Sequence, residues 1–198
     1  MEYVIGVDEV GRGPVAGPVV VVACALKKGV DALSLYPKQV LKDSKKLSEK
    51  NREKIRESLH EYLDDGRIMY GLGEVSAKDI DAIGIAEAVR VAMNKALTIL
   101  EEKGVTIDTQ VVLDGSLFAP ERFIHQSTHI QGDEKFIEIS LASIIAKVYR
   151  DNLMKELGKQ FLGYGFENHA GYGTAAHYAA IKTLGMTEHH RKTFLTRL

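Results

Sequence analysis

The 198-residue chain contains one cysteine, no tryptophan and only four prolines. The single cysteine, Cys24, excludes an internal disulfide and a thiolate zinc cluster, and it favours a reducing compartment, so we expect a cytoplasmic protein. The longest apolar run, Pro18 to Leu26, is far shorter than the about 20 residues that span a membrane. The N-terminus also lacks the basic start and long apolar stretch of a secretory signal. We therefore expect no contact with a membrane.

The chain also lacks an excess of charge of one sign, because 26 basic and 27 acidic residues leave a formal net charge of −1. This balance alone does not indicate nucleic acid as a partner. The basic residues are nevertheless uneven, with one group within residues 38–56 and another within the last ten residues. Such patches fit a polyanion held beside an acidic site, but a solvated helix face and a basic tail would also explain them.

The apolar pattern predicts strands near the N-terminus and then strands that alternate with helices. Helices are indicated after the capping candidates Ser48, Ser76 and Thr174, and also after Asp133. This order favours an α/β protein with a mixed β-sheet covered by helices. The predicted strands are residues 4–7, 19–25, 68–74 and 110–113.

No repeat or linker divides the chain, so we predict a single domain over residues 1–198. Within it, residues 1 to about 160 would form the core, and residues from about 161 to 198 would form a small helical C-terminal lobe.

Acidic residues follow three of the apolar segments. Asp8 and Glu9 follow the first strand, Asp114 follows the last predicted strand, and Asp133 precedes a helix. Strand ends gather functional groups from separate loops, and carboxylates brought together repel unless cations lie between them. The pattern therefore predicts a site for two divalent cations, of the kind that activates water and offsets charge on a departing phosphate oxygen. Solvated acids at a strand end are the simpler alternative.

Adjacent side chains on a regular strand point to opposite faces, so Asp8 and Glu9 do not both face one ion from an ideal strand. Either the strand kinks before Gly11, or Glu9 approaches the ion from a different direction. Both alternatives stay open at the level of sequence.

The segments that carry these acids resemble the type 2 ribonuclease H family, ribonuclease HII. They occur in order over nearly the whole chain, and the first and fifth are specific. They read GVDEVGRGPVAGP at residues 6–18, LKDSKKL at 41–47, DG at 114–115, GD at 132–133, ISLASIIAKVYRD at 139–151 and GYGT at 171–174, followed by His190-Arg191 and Phe194.

The resemblance implies a ribonuclease H-like mixed sheet and an endonuclease that acts on nucleic acid. The sequence does not indicate an oligomeric state, so a monomer is the default expectation. The endonuclease would cut the RNA strand of RNA–DNA hybrids and nick DNA duplexes 5′ of embedded ribonucleotides, leaving 3′-hydroxyl and 5′-phosphate ends. Asp8, Glu9, Asp114 and Asp133 would be the catalytic carboxylates and would bind Mn²⁺ or Mg²⁺, with two ions per site during catalysis.

The resemblance also implies substrate contacts. Gly11, Arg12 and Gly13 would sense the ribose 2′-hydroxyl, the group that distinguishes RNA from DNA. Tyr172 would stack on the sugar that follows the junction and favour deoxyribose there.

Phosphate contacts are implied for Ser44 and Lys45. The chain departs from the family pattern at Ala170, where a lysine is common, and at Gly84, where an asparagine is common. Loss of a basic residue beside Tyr172 would weaken phosphate binding there without affecting the carboxylates.

Other interpretations concern residues near these motifs. Asp151 would form a structural ion pair with Arg150, and His169 and His177 would either pack beside Tyr172 or shuttle protons. A non-catalytic binder of hybrid duplexes and a general nuclease on the same scaffold are the alternative functions.

Overall fold

The computed structural model describes residues 2–35 and 47–196, and within them one five-stranded sheet forms the centre of the molecule. The strands are β1 Tyr3–Val10, β2 Val19–Lys27, β3 Ile68–Val75, β4 Gln110–Asp114 and β5 Gln126–His129. They are arranged in the order β3-β2-β1-β4-β5. Strands β1, β2 and β3 pair antiparallel, whereas β1, β4 and β5 pair parallel. The predicted mixed sheet is confirmed.

Helices cover both faces of this sheet. They are α1 Glu49–Ser58, α2 His60–Asp64, α3 Ala77–Ile83, α4 Ile85–Glu102, α5 Ile137–Gln160, α6 Phe166–His169 and α7 Ala175–Leu184. Short 3₁₀ turns occur at Ala32–Leu35, Gly132–Glu134 and Lys192–Phe194.

Strand β2 is apolar at every position from Val19 to Leu26 because both of its faces are covered. On one face, alternate residues beginning with Val19 pack with α4. On the other face, those beginning with Val20 pack with α1 and α5. The sheet is therefore the middle layer of three.

A third apolar cluster joins the C-terminal helices to the segment after β1. It contains Phe166 and Ile181 from α6 and α7, Met154 from α5, and Val15 and Ala16 from the segment after β1. Packing in this cluster crosses residue 160, and the predicted division of the chain there stays a prediction.

Helix α5 approaches the sheet closely at Gly6. A Cβ atom on Gly6 would lie 2.1 Å from the carbonyl carbon of Glu138, so no larger residue fits there. Ala142 and Ala146 are fully buried on the same helix, as expected of small residues at a close helix–sheet contact. This contact brings Ser143 to the end of β1.

The predicted helix starts are confirmed, since Ser48, Ser76 and Thr174 each accept a hydrogen bond from the main-chain N–H three residues later. The long helix expected after Ser76 is interrupted at Gly84, whose φ of 79° and ψ of 154° are accessible only to glycine. Strand β5 was not predicted because its sequence, Gln-Ser-Thr-His, contains no aliphatic residue.

Candidate metal and substrate site

Asp8 and Asp114 lie side by side at one edge of the sheet. The last register pair between β1 and β4 is Val7 with Leu113, so the next residue of each strand is an aspartate. Parallel neighbouring strands place such residues close together. Two acids 106 positions apart in the chain, by their residue numbers, are thus brought together by the pairing of these strands.

The Asp8 carboxyl group is only 4% exposed. It accepts a hydrogen bond from the main-chain N–H of Glu9 at 2.8 Å and is hydrogen-bonded to the Ser143 hydroxyl of α5. The pKa of Asp8 is raised to about 8, chiefly by burial and also by the neighbouring Glu9 and Asp114, while the hydrogen bonds from Ser143 and the Glu9 N–H act against this rise. Asp8 is therefore a buried acidic residue whose charged neighbours are also acidic. Sequence reasoning assigned no such role to Ser143.

Glu9 lies on a regular strand. Register pairs run without interruption from Asp8 with Val22 to Val10 with Val20, so β1 does not kink before Gly11. Because side chains alternate along β1, Glu9 points away from the face of Asp8. Its carboxylate lies 3.7 Å from the guanidinium of Arg12. The kinked-strand alternative is wrong, and Glu9 approaches this edge from the other side of the sheet.

Asp133 lies in the turn Gly132–Glu134, which packs between β4 and α5, and it is 2% exposed. The main-chain N–H of Gly132 donates to Asp114 Oδ1 at 2.7 Å, which attaches this turn to the end of β4. A Cβ atom on Gly132 would lie 2.6 Å from Cδ1 of Ile139, so a larger residue there would displace the end of the Ile139 side chain. We call the set of Asp8, Glu9, Asp114 and Asp133 the acid edge.

The chemistry of the acid edge fits a hard divalent cation. Carboxylate oxygens are the donors that Mg²⁺ and Mn²⁺ prefer, and a cation there would oppose the burial and the neighbouring acids that raise the pKa of Asp8. Within residues 2–35 and 47–196, no three or more His, Cys, Asp or Glu side chains are yet close enough together to hold an ion. Binding would therefore require the carboxylates to draw together.

A cleft of about 290 Å³ opens beside the acid edge. Asp8 and Glu9 line it on one side, and residues 11–13 and Tyr172 line it on another. A Cβ atom on Gly13 would lie 3.8 Å from Cε1 of Tyr172, and this tyrosine is 51% exposed. The structure thus places together four of the six residues to which substrate contacts were assigned. The other two, Ser44 and Lys45, lie outside the described residues.

Two buried arginines hold the loop that follows β1, residues 11–18, which we call the glycine loop. Arg150 donates to the carbonyls of Ala16, Pro18 and Ala170 at 2.9 to 3.1 Å. Arg191 donates to the carbonyls of Gly11, Arg12 and Gly17 at 2.6 to 3.0 Å. Burial lowers the pKa of Arg150 to about 10 and that of Arg191 to about 9, so both remain charged at neutral pH.

A chain of hydrogen bonds through two histidines ends at Tyr172. A main-chain N–H only donates, so Nδ1 of His190 accepts from Thr187 at 2.9 Å and carries no proton in the neutral ring. Nε2 of His190 then donates to Nε2 of His177 at 3.1 Å. Nδ1 of His177 donates to the Tyr172 carbonyl at 2.9 Å. Both ring nitrogens of His177 are thus engaged inside the protein, which favours packing over the proton-shuttle alternative.

The ion pair expected between Asp151 and Arg150 is wrong. Asp151 is bonded instead to Lys147 at 2.6 Å and to Arg52 of α1 at 3.3 Å. Arg150 points instead towards the carbonyls of Ala16 and Pro18 in the glycine loop. Lys147 and Arg52 also line the cleft.

Comparison with known proteins assigns the chain to a family. The family model described as ribonuclease HII matches residues 5–198. A ribonuclease HII of Shouchella clausii is 44% identical over 192 residues, which cover 96% of this chain and 68% of that protein. A ribonuclease HII of Chlamydia caviae is 46% identical over 191 residues, covering 96% and 83%.

Solved structures agree with this assignment. The ribonuclease H2 of Pyrococcus horikoshii is 26% identical with a TM-score of 0.70, over 96% of this chain and 93% of that one. Among the described residues, no helix is both long and apolar enough to cross a bilayer.

The ribonuclease H-like sheet, the acid edge and these similarities define a metal-dependent ribonuclease, a hydrolase that acts on nucleic acid. Within that class, the chain belongs to the ribonuclease HII family, whose endoribonucleases act on RNA–DNA hybrids.

Proposed function

We propose that this protein cuts the RNA strand of RNA–DNA hybrids and nicks DNA duplexes on the 5′ side of an embedded ribonucleotide, leaving 3′-hydroxyl and 5′-phosphate ends. The observation that carries the proposal is the shared cleft. In it, the buried carboxyl group of Asp8 lies beside Arg12, Gly13 and Tyr172. A site for phosphate hydrolysis and a site for a ribose therefore adjoin each other.

Asp8, Glu9, Asp114 and Asp133 would hold two ions of Mg²⁺ or Mn²⁺. When bound, such ions supply an activated water and offset the charge on the departing oxygen. Ser143 and the Glu9 N–H fix the Asp8 carboxyl group, and Gly132 fixes that of Asp114. Two of the four acids are thus held in place before any ion arrives, although the carboxylates must still draw together to bind one.

The glycine loop and Tyr172 would select the substrate. Arg12 is half exposed at the cleft, where its guanidinium and the neighbouring N–H groups can reach a sugar hydroxyl. The exposed ring of Tyr172 offers a flat apolar surface for the next sugar. Ser44 and Lys45 would contact backbone phosphates. We further propose that residues 1–198 form one catalytic domain that acts as a cytoplasmic monomer.

Cleavage of a DNA duplex that contains one ribonucleotide tests this function. With Mg²⁺ or Mn²⁺, we expect a single nick 5′ of the ribonucleotide and no nick in the all-DNA duplex of the same sequence. The Asp8→Asn protein, which keeps the shape of the side chain but removes its charge, should be slower by about 10³-fold or more.

The matched control is Asp108→Asn, which changes an exposed acid away from the cleft and should cut at the wild-type rate. End-labelling of the nick determines which strand end carries the phosphate. Duplex binding without any nick in either metal would favour a non-catalytic binder, and equal cutting of both duplexes would favour a general nuclease.

A further inference from the structure

Arg191 is a fully buried arginine whose guanidinium contacts the substrate loop from behind. Its side chain is 0% exposed. Nε and one terminal nitrogen donate to the Gly17 carbonyl at 2.9 and 2.8 Å. The terminal nitrogens also donate to the carbonyls of Gly11 and Arg12 at 2.6 and 3.0 Å. One planar group therefore binds both ends of the glycine loop.

These bonds fix the direction of two peptide planes. The described residues contain no cis peptide bond, so the C=O and N–H of each peptide point in opposite directions. With the carbonyls of Gly11 and Arg12 directed at Arg191, the N–H groups of Arg12 and Gly13 point the other way. The cleft lies on that side, since residues 11–13 line it.

The loop has glycines near both of its ends, so its conformation there depends on contacts such as these. Gly11 has a φ of 85° and Gly17 a φ of 82°, and glycine changes conformation at little steric cost. Main-chain bonds hold only the part of the loop after Pro14, where the Arg191 N–H donates to Val15 and the Gly17 N–H donates to His189, each at 2.8 Å. Among the hydrogen bonds of the described residues, the carbonyls of Gly11 and Arg12 have Arg191 as their side-chain donor.

We propose that Arg191 is a positioning residue for ribose recognition. It holds the peptides of Gly11 and Arg12 so that the N–H groups of Arg12 and Gly13 face the 2′-hydroxyl of the substrate. This role rests on the proposed function, because the cleft must bind a ribonucleotide for the orientation to matter. Arg191 touches neither substrate nor ion, so it acts only through the loop.

Arg191→Lys tests the role, because lysine keeps the charge but a single ammonium group does not bind three carbonyls in a planar fork. Two constants are measured in Mg²⁺: the KM for a duplex with one ribonucleotide, and the inhibition constant of the all-DNA duplex as a competitor. We expect KM to rise about tenfold and the inhibition constant to stay within about twofold, because only the first duplex has a 2′-hydroxyl. The Mg²⁺ concentration for half-maximal rate should not change, since the acid edge is untouched.

Ile181→Ala is the matched control. Ile181 is buried in the C-terminal cluster that also contains Ala16, and it makes no hydrogen bond to the glycine loop. This variant loses stability through a cavity, so its kcat falls with the folded fraction while the ratio of the two constants stays at the wild-type value. If Arg191→Lys does not fold, Arg191→Gln takes its place. Glutamine buries no charge and keeps an amide donor, and the same two constants are compared with those of wild type.

The ratio of KM to the inhibition constant is the deciding quantity. If this ratio is the same in the Arg191 variants as in wild type and Ile181→Ala, the positioning role is overturned and the proposed function stays intact. A wild-type protein that did not cut the ribonucleotide duplex would overturn the proposed function and this role together.

Discussion

The molecule buries charge in two regions and neutralises it differently in each. At the acid edge, Asp8 is 4% exposed, has Glu9 and Asp114 as charged neighbours, and receives hydrogen bonds from Ser143 and a main-chain N–H. Behind the glycine loop, Arg150 and Arg191 are 1% and 0% exposed, and each binds three main-chain carbonyls.

The two regions differ in whether their buried groups are charged at neutral pH. The pKa values of Arg150 and Arg191, lowered by burial to about 10 and about 9, still lie above neutral pH, so both cations persist in the folded protein. The pKa of Asp8, raised to about 8, lies above neutral pH as well, so this acid is largely protonated unless a cation is added. The arginine region is complete within the chain, whereas the proposed ions would complete the acid edge from solution.

The largest expected effect is on the arginine region. Arg150→Met removes the donor to three buried carbonyls and should lower the free energy of unfolding by about 3–5 kcal/mol, measured by urea denaturation. The exposed residue Lys159, on the same helix and paired with Glu156, provides the control Lys159→Met, which should change this free energy by at most about 0.5 kcal/mol. Equal losses in the two variants would contradict the claim that carbonyl partners make Arg150 structural.

At the acid edge, removal of the ionisable group should raise the free energy of unfolding instead of lowering it. In the presence of a chelator, Asp8→Asn should raise the free energy of unfolding at pH 7 by about 2–4 kcal/mol. Asp8 is protonated in the folded protein and releases its proton on unfolding, which favours unfolding at pH 7, whereas a neutral amide has no proton to release. A raised pKa in the folded state means that wild-type stability falls as pH rises from about 4 to about 8, so the gain should grow over this window.

Thermal melting of both proteins at several pH values between 4 and 8 measures this gain. Asp108→Asn, at an exposed position, should melt with the wild-type pH dependence. A destabilised Asp8→Asn protein in chelator would show that Asp8 has a compensating partner inside the chain.

The smallest expected effect concerns the two histidines in the hydrogen-bond chain that ends at the Tyr172 carbonyl. Burial, followed by the neighbouring His177, lowers the pKa of His190 to about 4, and burial also lowers that of His177. Depressed histidine pKa values mean that stability is present above about pH 6.5 and is lost as pH falls towards 4. At pH 5 the loss should be at most about 2 kcal/mol, since the window crossed is about 1.5 pH units.

Urea denaturation at pH 7 and pH 5 measures this contribution as a difference between proteins, because the opposite contribution of Asp8 is common to wild type and both variants. Relative to wild type, His190→Asn should be more stable at pH 5 than at pH 7, whereas His60→Gln, at an exposed position on α2, should keep the wild-type pH dependence. An unchanged pH dependence in His190→Asn would exclude the histidine chain as its source.

Much of the fold could be predicted from the sequence because the signals are local. Apolar runs located strands β1 to β4, and the hydroxyl caps Ser48, Ser76 and Thr174 located three helix starts. The acids could be noticed because each follows an apolar segment. Strand β5 was missed because its stability comes from pairing with β4 at the sheet edge and not from its own composition.

The arginine region could not be predicted for a different reason. The hydrogen-bond partners of Arg150 lie more than 130 positions away at Ala16 and Pro18, and they are main-chain carbonyls that every residue possesses. A charged residue beside an acid in the chain, such as Arg150 before Asp151, suggests a local ion pair that the fold does not form. Ser143 was missed similarly, since its contact with Asp8 arises only when α5 packs against Gly6.

Anomalous diffraction from crystals grown in Mn²⁺ tests the central claim most directly, because it locates the ion without reference to activity. The account predicts a manganese peak between the carboxylates of Asp8 and Asp114, with oxygen distances of about 2.0–2.4 Å, and no peak there in Asp8→Asn crystals. Wild-type crystals with manganese bound elsewhere, and with Asp8 still hydrogen-bonded only to Ser143 and the Glu9 N–H, would contradict it.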